Sequence, residues 1–150
     1  MPTAYRYQVV THWTMHKRGI VEAPDVPRTI NFSAPPEFGG EPGLWTPEHM
    51  LVAAVATCFT ATFRVLAERS KLEVHALEVP VEGVLEREEK GYRFTEILLR
   101  PQVTILKESD RVRTLLLVEK AEKACLVSRS LNSKITLSPK VVVETAVPAL

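Results

Sequence analysis

Apolar and polar residues alternate near the start of the chain, where Tyr5, Tyr7 and Val9 are interleaved with Arg6 and Gln8. This two-residue period marks a half-buried strand and predicts one running to about Trp13. A turn at Lys17-Arg18-Gly19 separates it from two short runs, residues 20–23 and 28–33. These read as further strands, divided by the breaker Pro24-Asp25-Val26-Pro27. Residues 34–45 are so rich in proline and glycine that neither helix nor ladder propagates through them.

The period then lengthens. Thr46-Pro47-Glu48 is a helix start, with Thr46 as N-cap, Pro47 where a missing N–H is harmless and Glu48 facing the positive helix end. A helix is predicted from Pro47 to about Lys71. Its first half, MLVAAVATCF, is alanine-rich and apolar on nearly every face, which predicts burial all round against a sheet and a neighbouring helix. Its second half turns amphipathic as Arg64, Glu68, Arg69 and Lys71 appear.

Residues 74–89 and 92–106 read as a long hairpin turning at Lys90-Gly91, with Pro80 and Pro101 demanding bulges or edge positions. Ser109 is the expected cap of a second amphipathic helix, running to about Cys125 and burying Val112, Leu115, Leu116, Val118 and Ala121. A last strand is expected over residues 134–145. This order of strands, helix, hairpin, helix and strand predicts an α+β fold, and 150 residues suit one domain, 1–150.

A formal net charge of +1 leaves no large field to collect nucleic acid or acidic lipid. No apolar run approaches the ~18 residues of a membrane span, and the N-terminus lacks the pattern of a signal peptide. A cytoplasmic protein without nucleic-acid or membrane partners is expected. There is no glycine-rich phosphate loop, and His12, His16, His49 and His75 form no close ligand pair with each other or with cysteine. Neither a cofactor nor a metal is therefore expected.

The chemistry then rests on Cys58 and Cys125. Two cysteines so far apart do not form the dense framework of a secreted mini-protein, so any disulfide between them is expected to be transient. Cys58 lies about 16 Å into its helix, beyond the reach of the dipole, so a reactive thiolate there needs a cation such as Arg brought from elsewhere. Without one it is a buried structural cysteine. Cys125, at a helix end whose carbonyls disfavour negative charge, suits a resolving thiol or again a structural one. In isolation Glu48 reads as a helix N-terminal acid and Arg18 as a turn residue.

The segments PPEFGG, TPEHMLVAAVATCF and AEKACLVSRSLNSKITL resemble the family of osmotically inducible protein C (OsmC) and the organic hydroperoxide resistance proteins (Ohr). That resemblance implies the OsmC-like fold as an intertwined homodimer with paired active sites at the interface, which accounts for the apolar helix. It also implies that Cys58 is the peroxidatic thiol, Cys125 the resolving thiol and Glu48 the acid orienting an arginine. Arg18 is the best candidate for that arginine, with Lys17 and Arg28 as alternatives. Glu48 and Cys58 stand about 15 Å apart along one helix, so Glu48 is expected to act across the dimer on the other chain's Cys58. The implied activity is reduction of organic hydroperoxides with an external dithiol as reductant, and Phe59 and Trp45 are expected to line the substrate pocket. Where many members have proline after the second cysteine, this chain has Leu126. The alternatives are an OsmC-like binder of small apolar ligands and a thiol sensor without turnover.

Overall fold

The computed structural model describes residues 3–145. The chain divides into two compact units, one within residues 1–51 and the other within 52–150.

The first unit is an antiparallel meander of β1 (Val10–Met15), β2 (Arg18–Ala23) and β3 (Val26–Ser33). The expected first strand begins later than predicted. Tyr5, Tyr7 and Val9 precede it and stand exposed, because their alternation has no partner strand among the described residues. The first turn also moves, from Lys17-Arg18-Gly19 to His16-Lys17, since Met15 pairs directly with Arg18. His16 takes the left-handed conformation that this tight connection requires (φ 49°) and accepts the Trp13 indole N–H at 2.7 Å. Arg18 is therefore the first residue of a strand. The proline-rich loop holds a short 3-10 turn at Pro36–Phe38 and returns through a bridge from Trp45 to Phe32.

Helix α1 spans Pro47–Arg69. Its cap is as the sequence predicts: the Thr46 hydroxyl accepts the His49 backbone N–H at 3.1 Å. It ends just short of the expected Lys71, which instead adopts the left-handed conformation (φ 53°). The Leu72 N–H then bonds the Ala67 carbonyl at 2.9 Å and the Lys71 N–H the Glu68 carbonyl at 3.1 Å, a Schellman closure.

In the second unit the predicted hairpin becomes four strands, β4 (Val74–Glu78), β5 (Val81–Glu88), β6 (Gly91–Leu99) and β7 (Gln102–Ile105). The predicted last strand becomes β8 (Lys134–Leu137) and β9 (Lys140–Val143). Each arm breaks where a proline, Pro80, Pro101 or Pro139, withholds its ladder N–H. The result is two three-stranded sheets in the same arm order, β4-β7-β9 and β5-β6-β8. The third arm is parallel to the second, as expected of a return through helices. Gly83 on β5 admits this packing: a Cβ there would lie 2.7 Å from Val52 of α1 and 2.8 Å from the Phe94 ring.

Between the second and third arms lie α2 (Arg111–Ala124) and the single turn α3 (Leu126–Arg129). The expected Ser109 cap falls inside a 3-10 turn, Glu108–Asp110, so the cap position passes to Asp110 and α2 starts one residue later. Its packed face is Thr114, Leu117, Val118 and Ala121, whereas Val112 and Leu116, expected inside, are 69% and 60% exposed. Thr114 is accommodated because its hydroxyl bonds the Asp110 carbonyl at 2.7 Å.

Burial on α1 is one-sided rather than all round, restricted to Val55, Phe59, Phe63 and Ala67 at four-residue spacing. These pack in the second unit with Ile97, Leu99, Val103, Ile105, Val118 and Ala121 among its buried side chains. By length and composition α1 is also apolar enough to cross a membrane. The sequence expectation missed this because scattered threonines and a histidine interrupt the apolar run without lowering the average much.

Candidate active site

Cys58 projects half-buried from the third turn of α1, and Cys125 is fully buried where α2 gives way to α3. The helical path is broken at Cys125 itself, whose backbone is extended (φ −65°, ψ 108°). The four-residue turn after it begins with N–H groups that have no helical partner. Two of these, from Leu126 and Val127, reach the Cys58 sulfur.

Burial works against a thiolate at Cys58. It is outweighed by donation from the Val127 N–H, the Cys125 thiol, the Thr62 hydroxyl and the Leu126 N–H, so the Cys58 thiol is held below its ordinary pKa. Cys125 goes the other way. Burial pushes its thiol up, the hydroxyl and N–H of Ser128 oppose this, and the neighbouring Cys58 adds to the rise. The pair thus consists of one thiol held below its ordinary pKa and one held above it, each influenced by the other.

Two sequence arguments change here. The depth of Cys58 in its helix called for a borrowed cation, yet uncharged donors within the second unit already favour its thiolate. Cys125 is disfavoured as a thiolate chiefly by burial, rather than by the helix-end carbonyls that the sequence suggested. Phe59, expected to line a pocket, is completely buried in the core. Trp45 is exposed and borders a hollow with Gly43, Leu44 and His49.

Arg18 and Glu48 belong to the first unit. The Arg18 guanidinium is paired with Glu41 at 3.2 Å. Glu48 is half-buried in the first turn of α1, and its Oε2 is buried with no hydrogen-bond partner among the described residues. Of the alternative cations, Lys17 donates to the Phe38 carbonyl at 3.1 Å and Arg28 is exposed on β3. Among the described residues no group of three or more His, Cys, Asp or Glu side chains is placed to hold a metal ion.

Thr62, Val127 and Ser128 are residues around the two cysteines that sequence reasoning missed, and Leu126 was singled out only for the absence of proline. Thr62 was legible, four residues beyond Cys58 and so on the same helix face. The end of the helix at Cys125 was legible as well, but its resumption as α3 directly afterwards was not, since neither proline nor glycine marks it.

The family model for OsmC-like protein matches residues 40–140. The chain belongs to the OsmC-like protein family. The matched stretch includes Glu48, Cys58 and Cys125 and leaves Arg18 outside. Uncharacterized protein YmaD of Bacillus subtilis (strain 168) is 29% identical over 139 residues, spanning 89% of this chain and 91% of that relative. An OsmC-like protein of unknown function from Vibrio cholerae superposes with a TM-score of 0.82 at 19% identity, covering 91% of this chain and 99% of that one. It shares the OsmC-like α+β fold. The structure of an organic hydroperoxide resistance protein OsmC from Legionella pneumophila, also described as a predicted redox protein, gives a TM-score of 0.74 at 26% identity. That match covers 95% of this chain and all of the other. An organic hydroperoxide resistance protein from Elizabethkingia anophelis shares the fold as well, with a TM-score of 0.74 at 19% identity, covering 96% of this chain and all of that one.

Proposed function

We propose that this chain is a thiol-dependent peroxidase that reduces organic hydroperoxides. The reading is carried by two unequal thiols on the second unit, a half-buried Cys58 whose pKa is lowered by surrounding donors and a buried Cys125 whose pKa burial raises, each influenced by the other. The Cys58 thiolate attacks the distal peroxide oxygen and the O–O bond breaks. The alcohol leaves after taking a proton, and a sulfenic acid remains on Cys58. Cys125 attacks that sulfenic sulfur, giving the Cys58–Cys125 disulfide and releasing water. An external dithiol then restores both thiols by exchange, with no bound cofactor. A reducing compartment such as the cytoplasm supplies dithiols of this kind.

The working form is a homodimer, and Glu48 acts on the site containing the partner's Cys58. Its carboxylate oxygen, buried without a partner among the described residues, supports this, because such an acceptor calls for a further donor, which a second copy would provide. Arg18 is the arginine proposed for that network, exchanging Glu41 for Glu48.

The test mixes reduced protein with an organic hydroperoxide and a dithiol and follows peroxide consumption. Wild type turns over, Cys58→Ser loses all activity, and Cys125→Ser stops after one equivalent with a sulfenic acid trapped at Cys58. No consumption by wild type would favour a ligand-binding role instead. A single stoichiometric oxidation that no dithiol reverses would favour a sensor.

A further inference from the structure

Two serines follow Cys125, and their hydroxyls serve different ends. The Ser130 hydroxyl is exposed and donates to the Leu126 carbonyl at 2.7 Å, the back-bonding usual for serine in or beside a helix. The Ser128 hydroxyl belongs to a residue only 6% exposed and donates to the Cys125 carbonyl at 3.2 Å. That carbonyl also accepts the Arg129 N–H at 3.1 Å. On its other side the Cys125 N–H reaches the Glu122 carbonyl at a longer 3.3 Å.

We propose that Ser128 is a positioning residue for closure of the Cys58–Cys125 disulfide, its hydroxyl pinning the Cys125 carbonyl so that the thiol is presented from a fixed backbone. This rests on the reading of Cys125 as the resolving thiol. Cys125 belongs to neither α2 nor α3, and its extended ψ of 108° is held from the C-terminal side by the donors to its carbonyl. A disulfide tolerates only a narrow range of Cα separations and dihedral angles, so a cysteine free to turn about ψ leaves that range part of the time. Holding it in place removes an orientational cost from the closing step. Burial makes the Ser128 hydroxyl a dependable holder, because on letting go of the carbonyl it loses a hydrogen bond that water does not replace. The exposed Ser130 hydroxyl exchanges its acceptor for solvent freely.

On closure the Cys125 thiol gives up its proton to solvent and its sulfur bonds to the Cys58 sulfur. The group that Cys58 carried departs with the bonding electron pair. Ser128 keeps its proton and its acceptor throughout.

The experiment uses DTNB, an aromatic disulfide that releases a coloured thiolate, on the full chain without peroxide. Attack by Cys58 releases one thiolate and leaves a mixed disulfide, and attack by Cys125 on the Cys58 sulfur releases the second in a phase independent of reagent concentration. Ser128→Ala should leave the first phase unchanged and slow the second about fivefold, the effect of one hydrogen bond of average net strength. Ser128→Thr, which keeps the hydroxyl, should restore the second phase, and Ser130→Ala should match wild type in both. Closure at the wild-type rate in Ser128→Ala, or both phases slowed alike, would overturn the assignment. A Thr variant as slow as the Ala variant would trace the effect to packing and overturn it too. Wild type without a concentration-independent second phase would remove the disulfide reading and Ser128's role with it. Slowed closure in a protein that consumes no hydroperoxide would sustain the role of Ser128 and remove only the peroxidase reading.

Discussion

Around the Cys58 sulfur the donors are two backbone N–H groups, a hydroxyl and a thiol, and none carries a charge. The Leu126 N–H is special to a chain without proline at that position. Leu126 is the first residue of α3, where proline is well tolerated because the N–H has no helical partner. The preceding Cys125 is already extended, as a residue before proline prefers. Leu126→Pro should therefore leave stability nearly unchanged while removing one donor from Cys58. A lowered thiol pKa places half-ionisation at lower pH and a raised one at higher pH, so wild-type labelling should reach Cys58 first and Cys125 only in more alkaline solution. In Leu126→Pro the Cys58 curve should move toward alkaline pH and the gap between the cysteines should narrow. Site-resolved alkylation across a pH series measures both, and an unmoved Cys58 curve would exclude the Leu126 N–H from the site.

Among the elements, the end of α1 carries a correctable strain. Lys71 sits in the left-handed region that glycine occupies at little cost, and it does so to allow the Schellman bonds that bring Leu72 against Ala67. Lys71→Gly should stabilise the chain by about 1 kcal/mol, read as a higher denaturation midpoint at unchanged slope. A lower midpoint would show that the lysine side chain contributes more than its backbone costs. The start of the same helix was legible from Thr46 and Pro47, since caps are local chemistry. The hairpin was legible as alternating apolar residues, and its division was signalled by prolines whose shared level in three arms depends on tertiary pairing. The buried face of α2 was misread because Val112 and Leu116 fit the helical period as well as Leu117 and Val118 do, and only the packing decides between them. The cysteine pair was legible by spacing through resemblance. The helix end at Cys125 was legible too, but the backbone donors at Cys58 were hidden, because the single turn that follows carries no sequence mark.

For the whole molecule, the question is what covers the apolar surface left open. Thr57 and Thr60 turn their hydroxyls onto their own helix, so that face of α1 offers methyl groups alongside Ala56 and Ala61 around a hollow. In the first unit Tyr7 and Trp13 are 91% and 76% exposed. Apolar area of this kind on each unit, and a Glu48 oxygen buried without a partner among the described residues, are what a second copy would resolve, since leaving the oxygen unmet costs about 1–3 kcal/mol. Sedimentation equilibrium should give about twice the 16.8 kDa chain mass at micromolar concentration. Ala61→Glu places a carboxylate in the hollow, which a partner surface would have to desolvate without an assigned cation. The variant should sediment as a monomer that keeps its α+β circular dichroism, and its peroxide turnover should drop to the level of Glu48→Gln. Combining the two substitutions should cost no more than either alone, because both remove the same contact between Glu48 and the partner's site. A monomeric Ala61→Glu protein with wild-type turnover would refute the action of Glu48 across the interface and leave each chain a complete catalyst.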